Sequence, residues 1–354
     1  MSVISNNCKV FYCIVIGLVT LGLTHTQDDP PPCSQNYECM PIPECKDMDS
    51  IDIIYPCDEN SICCPTINKS SSNESTITSR ISVLPSNCGI VTSTNRIVGG
   101  DLAAIGQFPW MALLGYMQKG IPFVQFLCGG SLITKEHVLT AAHCISIDTR
   151  LKLEVVRLGE YNLEVGEDCD GTFCTNSTDF SIANIVVHDG FNKTSLENDI
   201  AIVKLKQFVE FTEFIQPICL PIIDIGIDYT LTINKKLTVS GWGKTDSANI
   251  GGSSRLLYTT VVVWDTRKCN ASVPPKTRPI RDSQLCANGV RKQDACKGDS
   301  GGPLINSTIV NGDFKYYQVG VVSFATALTC GNVELPTVYT KVEYFLNWII
   351  TNIS

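Results

Sequence analysis

Eighteen cysteines among 354 residues set the first limit on what this chain can fold into. In a reducing compartment they would serve as metal ligands, but only four histidines are present to share that duty, so the ordinary reading is structural disulfides formed under oxidising conditions. The N-terminus agrees with that route. Lys9 precedes an apolar run from Val10 to Leu23 that breaks at Thr24, a length that suits a secretory h-region and is short for a membrane span. Residues 1–26 are therefore expected to be a signal peptide, with a signal-anchor as the competing reading. Loss of the leader removes Cys8 and Cys13 and leaves sixteen cysteines, an even number.

Six of these, Cys33, Cys39, Cys45, Cys57, Cys63 and Cys64, fall within residues 33–64. So small a unit cannot bury enough apolar surface to fold alone and must be stapled, although spacing leaves fifteen pairings open. Residues 65–96 read as a linker and activation segment, because 66–87 are rich in Ser, Thr and Asn and show no periodicity. From Ile97 the texture changes to short apolar or alternating runs such as HVLTAAH, DIAIVKL and YYQVGVVSF, separated by Gly, Pro and Asn, which indicates an all-β barrel or sandwich. Only the end reads helical, where Val342, Phe345, Leu346, Ile349 and Ile350 recur at helical spacing. A formal charge of -8 without a dense Lys/Arg run argues against a nucleic-acid partner. Sequons at Asn68, Asn73, Asn176, Asn192, Asn270, Asn306 and Asn352 mark candidate surface positions.

The chemistry gathers around DACKGDSGGP, Asp294 to Pro303. A serine between glycine-rich flanks is how a sharp turn exposes one nucleophilic hydroxyl, and Ser300 is that candidate. Serine needs a base, an orienting acid and donors for the oxyanion. His143 ends the apolar run LTAAHC, and Asp199 opens DIAIVKL, where a buried carboxylate is costly unless something hydrogen-bonds it. An imidazole N–H would meet that need.

His143, Asp199 and Ser300, in that order and with the flanks IVGG, TAAHC, DIAIVKL, GWG and GDSGGP, resemble the chymotrypsin-like serine peptidases over residues 97–354. The resemblance implies two six-stranded antiparallel β-barrels with a C-terminal helix and an active site in the cleft between them. It makes Ser300 the nucleophile, His143 the general base and Asp199 its orienter, with the oxyanion held by the N–H groups of Gly298 and Ser300. It also implies a zymogen: cutting after Arg96 would free an ammonium on Ile97 to pair with Asp299 and reshape the nucleophile loop. Asp294 would form the base of the primary specificity pocket, which implies cleavage after Arg or Lys; Ala325 and Thr337 stand where glycines usually leave room and would narrow that pocket, with small-residue specificity as the alternative.

The six-cysteine unit at 33–64 resembles the clip domain of arthropod serine proteases, with a generic disulfide knot as the alternative. That resemblance implies Cys33–Cys63, Cys39–Cys57 and Cys45–Cys64. In the peptidase region it implies Cys128–Cys144, Cys269–Cys286 and Cys296–Cys330, with Cys169–Cys174 local to an insertion, which leaves Cys88 and Cys219 to tether the clip segment. EYNLEVGEDCD is close in spacing to a family calcium loop, with Glu160, Glu167 and Asp170 as carboxylates and Asn162 and Val165 as carbonyls; a solvated acidic loop is the alternative. No cofactor is expected for the chemistry itself.

The expected protein is thus a secreted endopeptidase zymogen in an extracellular cascade of innate immunity, melanisation or development. Its implied partners are a downstream zymogen or cytokine-like precursor as substrate, an upstream activating protease and a serpin-type inhibitor, with no membrane once the leader is gone. The alternatives are a noncatalytic clip-domain adaptor and a venom protease with small-residue specificity.

Overall fold

The computed structural model describes residues 37–41, 56–58, 61–65, 83–91, 102–146, 150–171, 173–222, 231–244, 252–273, 275, 279–290, 298–310, 312–325 and 335–354. The leader, Cys33, Cys45, Arg96, Ile97, Asp294, Cys296 and Cys330 lie outside them. Among the described residues no helix is long and apolar enough to cross a membrane. The chain divides into two compact units, Met1–Ser72 and Asn73–Ser354, at a boundary inside the Ser/Thr/Asn-rich stretch.

In the first unit, β1 (Tyr37–Pro41), β2 (Pro56–Asp58) and β3 (Ser61–Pro65) form an antiparallel sheet in the order β1-β3-β2. Cys39 and Cys63 are opposite each other in the β1–β3 register. The side chains here are not among those described, so the three expected clip pairs lie outside the structural account.

The second unit is all-β, as the short turn-bounded runs predict. One closed barrel is built from β4 (Met111–Gln118), β5 (Gln125–Leu132), β6 (His137–Thr140), β7 (Leu151–Leu158), β10 (Thr178–Val187) and β11 (Ala201–Leu205). Between β7 and β10 a separate hairpin, β8 (Glu167–Asp170) with β9 (Phe173–Asn176), carries the Cys169–Cys174 bond. The second closed barrel runs β12 (Lys236–Gly241), β13 (Leu257–Val263), β14 (Gln284–Gly289), β17 (Thr337–Lys341), β16 (Asp313–Ala325) and β15 (Pro303–Val310). Closure leaves no unpaired strand edge in either barrel.

Apolar alternation fills the interiors. Phe180 is buried between exposed Asp179 and Ser181, the two-residue period of a strand with one face in a core. Leu237, Val239, Val261, Leu304 and Tyr339 pack inside the second barrel. A larger cluster joins Trp110, Leu114 and Ile202 of the first barrel region to Ile305 and Val321 of the second. Among the described residues this unit also has three short helices, α1 (Ala142–Ile145), α2 (Thr266–Ser272) and α3 (Leu346–Ile353). The C-terminal run starts as a 3-10 turn over Val342–Phe345 before α3, which buries Ile349, Ile350 and Ile353. His188, just past β10, lies against Phe345 and Trp348, so the helix that ends the second barrel packs back on the first.

The two barrels share a polar seam beside the site. Ser131 Oγ of β5 donates to Gln318 Oε1 of β16 at 2.5 Å, both groups being fully buried. A strap over residues 83–91 is fixed there too. Cys88 is bonded to Cys219, Gly89 N–H donates to the Pro217 carbonyl at 2.8 Å, and Tyr316 N–H donates to the Gly89 carbonyl at 3.0 Å. Among the described residues this unit also holds Cys128–Cys144 and Cys269–Cys286.

Candidate active site

His143 lies on α1, directly after β6, and its neighbour Cys144 ties that short helix to β5 through Cys128. Buried Tyr116 donates its hydroxyl to the Cys144 carbonyl at 2.8 Å, and burial raises the phenol's pKa, which keeps it a donor. The imidazole is therefore carried on a turn held by one covalent bond and one buried hydrogen bond. Its side chain is 22% exposed.

Asp199 is wholly buried at the start of β11. Its Oδ1 accepts the His143 backbone N–H at 2.8 Å, and its Oδ2 lies 2.7 Å from His143 Nδ1 and accepts the Ser323 hydroxyl at 2.5 Å. Thr340 Oγ1 donates to the Asp199 carbonyl at 2.8 Å. A carboxylate is acceptor-only, so Nδ1 carries a proton and the Nε2 lone pair is left to face the cleft. Ser323 and Thr340 come from β16 and β17, so the second barrel helps to hold the acid that the first one carries.

Ser300 sits at the turn between Gly298, at φ +104°, and Gly301, at φ +80°, conformations that a side chain would strain. The turn is fastened to both barrels: Gly129 N–H of β5 donates to the Ser300 carbonyl at 2.8 Å, and Gly301 N–H donates to Val322 of β16 at 2.8 Å. Asp299 points the other way, into a space bounded by Gly241 and Gly243, where Gly243 N–H donates to its Oδ1 at 2.8 Å. Among the described residues the Gly298 and Ser300 N–H groups have no intramolecular acceptor.

The structure thus joins His143 directly to Asp199 and brings Ser300 to the same seam, but no hydrogen bond links Ser300 to His143; the nearest sulfur to Nε2 is Cys144 Sγ at 3.7 Å. Such contacts are often long before substrate binds. Arg96, Ile97 and Asp294 fall outside the described residues. Ala325 and Thr337 are opposite each other at the end of the β16–β17 ladder, with Thr337 buried and Ala325 exposed.

The acidic loop is arranged differently from a cation cage. Glu160 is buried, but its carboxylate is taken by Arg157 Nη1 at 3.3 Å and the Tyr161 N–H at 3.0 Å. The Asn162 carbonyl accepts Val165 N–H, and Glu167 accepts Asn176 Nδ2 at 3.3 Å. The buried acid of the hairpin is Asp168, outside the predicted set; its Oδ2 accepts the Asn162 N–H at 3.0 Å, and burial raises its pKa. Among the described residues no three carboxylates bring their oxygens within 4.8 Å of one another. As arranged, Glu160, Asn162, Val165, Glu167 and Asp170 do not fit a calcium ion.

Ser323, Thr340 and Asp168 were not legible as site or loop partners. Each is a common polar residue in a strand, with no local flanking pattern to distinguish it.

Comparison with known proteins places these features. The Trypsin family model matches residues 97–349. Phenoloxidase-activating factor 1 of Holotrichia diomphalia is 33% identical over 91% of this chain and 92% of its own length. Melanization protease 1 of Drosophila melanogaster is 37% identical over 75% of this chain and 68% of its own. Among solved structures, the Drosophila Grass clip serine protease of the Toll pathway matches with a TM-score of 0.66 and 33% identity, covering 83% of this chain and 81% of that one.

Proposed function

The chain belongs to the trypsin family of serine endopeptidases, in its clip-domain branch, and from that premise we propose that it is a secreted zymogen, activated by cleavage after Arg96, that cuts a protein substrate in an extracellular cascade. The observation that carries the catalytic part is the buried Asp199 carboxylate 2.7 Å from His143 Nδ1. An acid in that position fixes the tautomer whose Nε2 takes a proton.

In the proposed reaction Ser300 Oγ attacks the scissile carbonyl carbon while Nε2 of His143 accepts the hydroxyl proton. The carbonyl oxygen gains the negative charge and is met by the N–H groups of Gly298 and Ser300; losing one such donor costs roughly a hundred- to a thousandfold in other enzymes. His143 passes its proton to the departing amine as the C–N bond breaks. Water then attacks the acyl-enzyme, with His143 again as base, and releases Ser300. Throughout, Asp199 holds the imidazole and stabilises its positive form.

Activation couples to this through Asp299. The ammonium freed on Ile97 would pair with the Asp299 carboxylate, and because an unpaired buried charge is strongly unfavourable, the pair would hold the 298–301 turn in its working form. The relatives' names, a melanization protease and a phenoloxidase-activating factor, together with the Toll-pathway neighbour, support a cascade role with a precursor protein as substrate; an upstream activating protease and a serpin-type inhibitor are the further partners that such a role proposes. Cleavage after Arg or Lys rests on Asp294. Buried Thr337 is the feature that favours small side chains instead.

The test is cleavage of purified protein at Arg96, followed by Arg-ending and Ala-ending chromogenic peptides. The reading expects hydrolysis of the Arg substrate only after cleavage, organophosphonate labelling of Ser300, and no hydrolysis in cleaved Ile97→Asp. Preference for the Ala substrate would establish small-residue specificity, and an unlabelled Ser300 would establish a noncatalytic adaptor. A calcium ion in the acidic loop would require Glu160 to leave Arg157; a melting temperature that rises with calcium and falls with chelator would show that it does.

A further inference from the structure

The loop between β10 and β11 leads directly into Asp199 and carries the sequon Asn192-Lys193-Thr194. It is a closed turn. Asn192 N–H donates to the Glu197 carbonyl at 3.0 Å and Leu196 N–H to the Asn192 carbonyl at 2.7 Å, with Leu196 at φ 57° and Asn198 at φ 55°. The loop is tied both to the segment after His143 and to the second barrel. Lys193 Nζ donates to the Ser146 carbonyl, three residues after His143, at 2.9 Å. On the other side Arg281 pairs with Glu197 at 2.6 Å, and Gln284 Nε2 of β14 donates to the Leu196 carbonyl at 3.3 Å.

The Asn192 side chain is exposed, and its orientation is set by chemistry: Oδ1 accepts the N–H groups of Thr194 at 2.8 Å and Ser195 at 3.1 Å, so Nδ2 is the outward atom. Among the described residues Nδ2 has no hydrogen-bond partner. The other described sequons differ. Asn306 is buried at 2% exposure. Asn176 and Asn352 donate Nδ2 to Glu167 and to the Trp348 carbonyl, and Asn270, half-buried in α2, accepts the Ile280 N–H at 2.7 Å. A branched sugar needs a nitrogen that the fold leaves in solvent, and Asn192 supplies it.

We propose that Asn192 carries an N-linked glycan that stands at the rim of the cleft and restricts access by folded macromolecules while sparing short peptides. The transfer forms a bond from Nδ2 to the anomeric carbon of a lipid-pyrophosphate-linked oligosaccharide; the bond from that carbon to the pyrophosphate oxygen breaks, and one amide proton leaves. The inference rests on passage through the secretory pathway.

The test uses the full chain expressed in insect cells, with medium and cells analysed separately. Enzymatic deglycosylation in heavy-oxygen water should convert Asn192 of the secreted protein to labelled Asp, with Asn306 unchanged. Thr194→Ala removes the sequon but keeps Asn192 and its turn, and Thr194→Ser keeps the sequon. After activation, Thr194→Ala should match wild type on a short peptide amide and exceed it at least severalfold in its rate of inactivation by a protein inhibitor, with Thr194→Ser unchanged. Secreted protein unmodified at Asn192 would overturn this inference alone, and so would equal inhibition rates. Retention of the chain in the cytosol with free thiols would overturn the secretory reading as well.

Discussion

Asp199 shows how much one side chain depends on donors from distant parts of the chain. It is buried, and its carboxylate accepts hydrogen bonds from His143 and Ser323. Removing one donor from a buried charged acceptor costs about 1–3 kcal/mol. Ser323→Ala should therefore lower kcat of the activated enzyme by about tenfold, with KM for a small amide changed less; unchanged kcat would show that the two His143 bonds suffice. A second buried polar residue, His137, has a separate role. Thr134 Oγ1 accepts the N–H groups of Glu136 and His137, so its own proton goes to His137 Nδ1 at 2.8 Å, and that nitrogen must stay unprotonated. Burial accordingly lowers the His137 pKa from 6.5. A folded state that binds fewer protons than the unfolded chain loses stability as pH falls below that ordinary value. His137→Asn, which keeps an acceptor oxygen near the Nδ1 position but cannot titrate, should flatten the fall in melting temperature between pH 7 and 5. Parallel curves for the two proteins would assign the acid sensitivity elsewhere.

At the scale of an element, the 298–302 turn is the part most tightly specified by what surrounds it. A Cβ on Gly243 would meet both Asp299 carboxylate oxygens, and one on Gly301 would meet Thr140 Oγ1 and the Gly129 carbonyl. The motif's glycines are therefore required by close approach as well as by dihedral angle. Gly243→Ala should leave the barrels folded but displace Asp299, so active-site titration after cleavage at Arg96 should find a much smaller competent fraction. A full titre would mean that the segment carrying Gly243, just past β12, shifts aside at little cost. The hairpin β8–β9 is the contrasting case. Its acids, read from spacing, suggest a cation, yet the Glu160 carboxylate is turned to Arg157, which also pairs with Asp179 on β10 at 2.6 Å. Spacing cannot distinguish these outcomes, because the guanidinium that competes for Glu160 comes from the preceding strand.

For the whole molecule, the strap over residues 83–91 is the link that outlasts activation. Cys88 precedes the expected cleavage site and Cys219 follows it, 131 residues away in sequence. Cleaved protein should run as one species on a gel without reductant and as two chains with it; separation without reductant would show the strap to be unbonded. The bond also has a mechanical setting, because Gly89 and Cys219 both hydrogen-bond to β16 around Tyr316 and Gln318. Residues 83–91 are thereby anchored on the strand that carries Ser323.

By itself, the sequence determined an all-β fold from short turn-bounded apolar runs, an exposed serine from its glycine-rich flanks, and the need of Asp199 for a donor from an acid heading a run too apolar to hold it unpaired. The two barrels and the joint roles of His143, Asp199 and Ser300 came from the resemblance of their flanking motifs to the chymotrypsin-like peptidases. The tertiary structure alone decided that Ser323 and Thr340 are the further donors around Asp199, that Glu160 faces Arg157, and that Asn192 rather than Asn306 presents its amide to solvent. Each of these is a contact or exposure created when barrel closure brings strands from distant parts of the chain together. A lone Ser, Thr or Asn in a strand or turn reads the same locally whether it meets a carboxylate, a core or water.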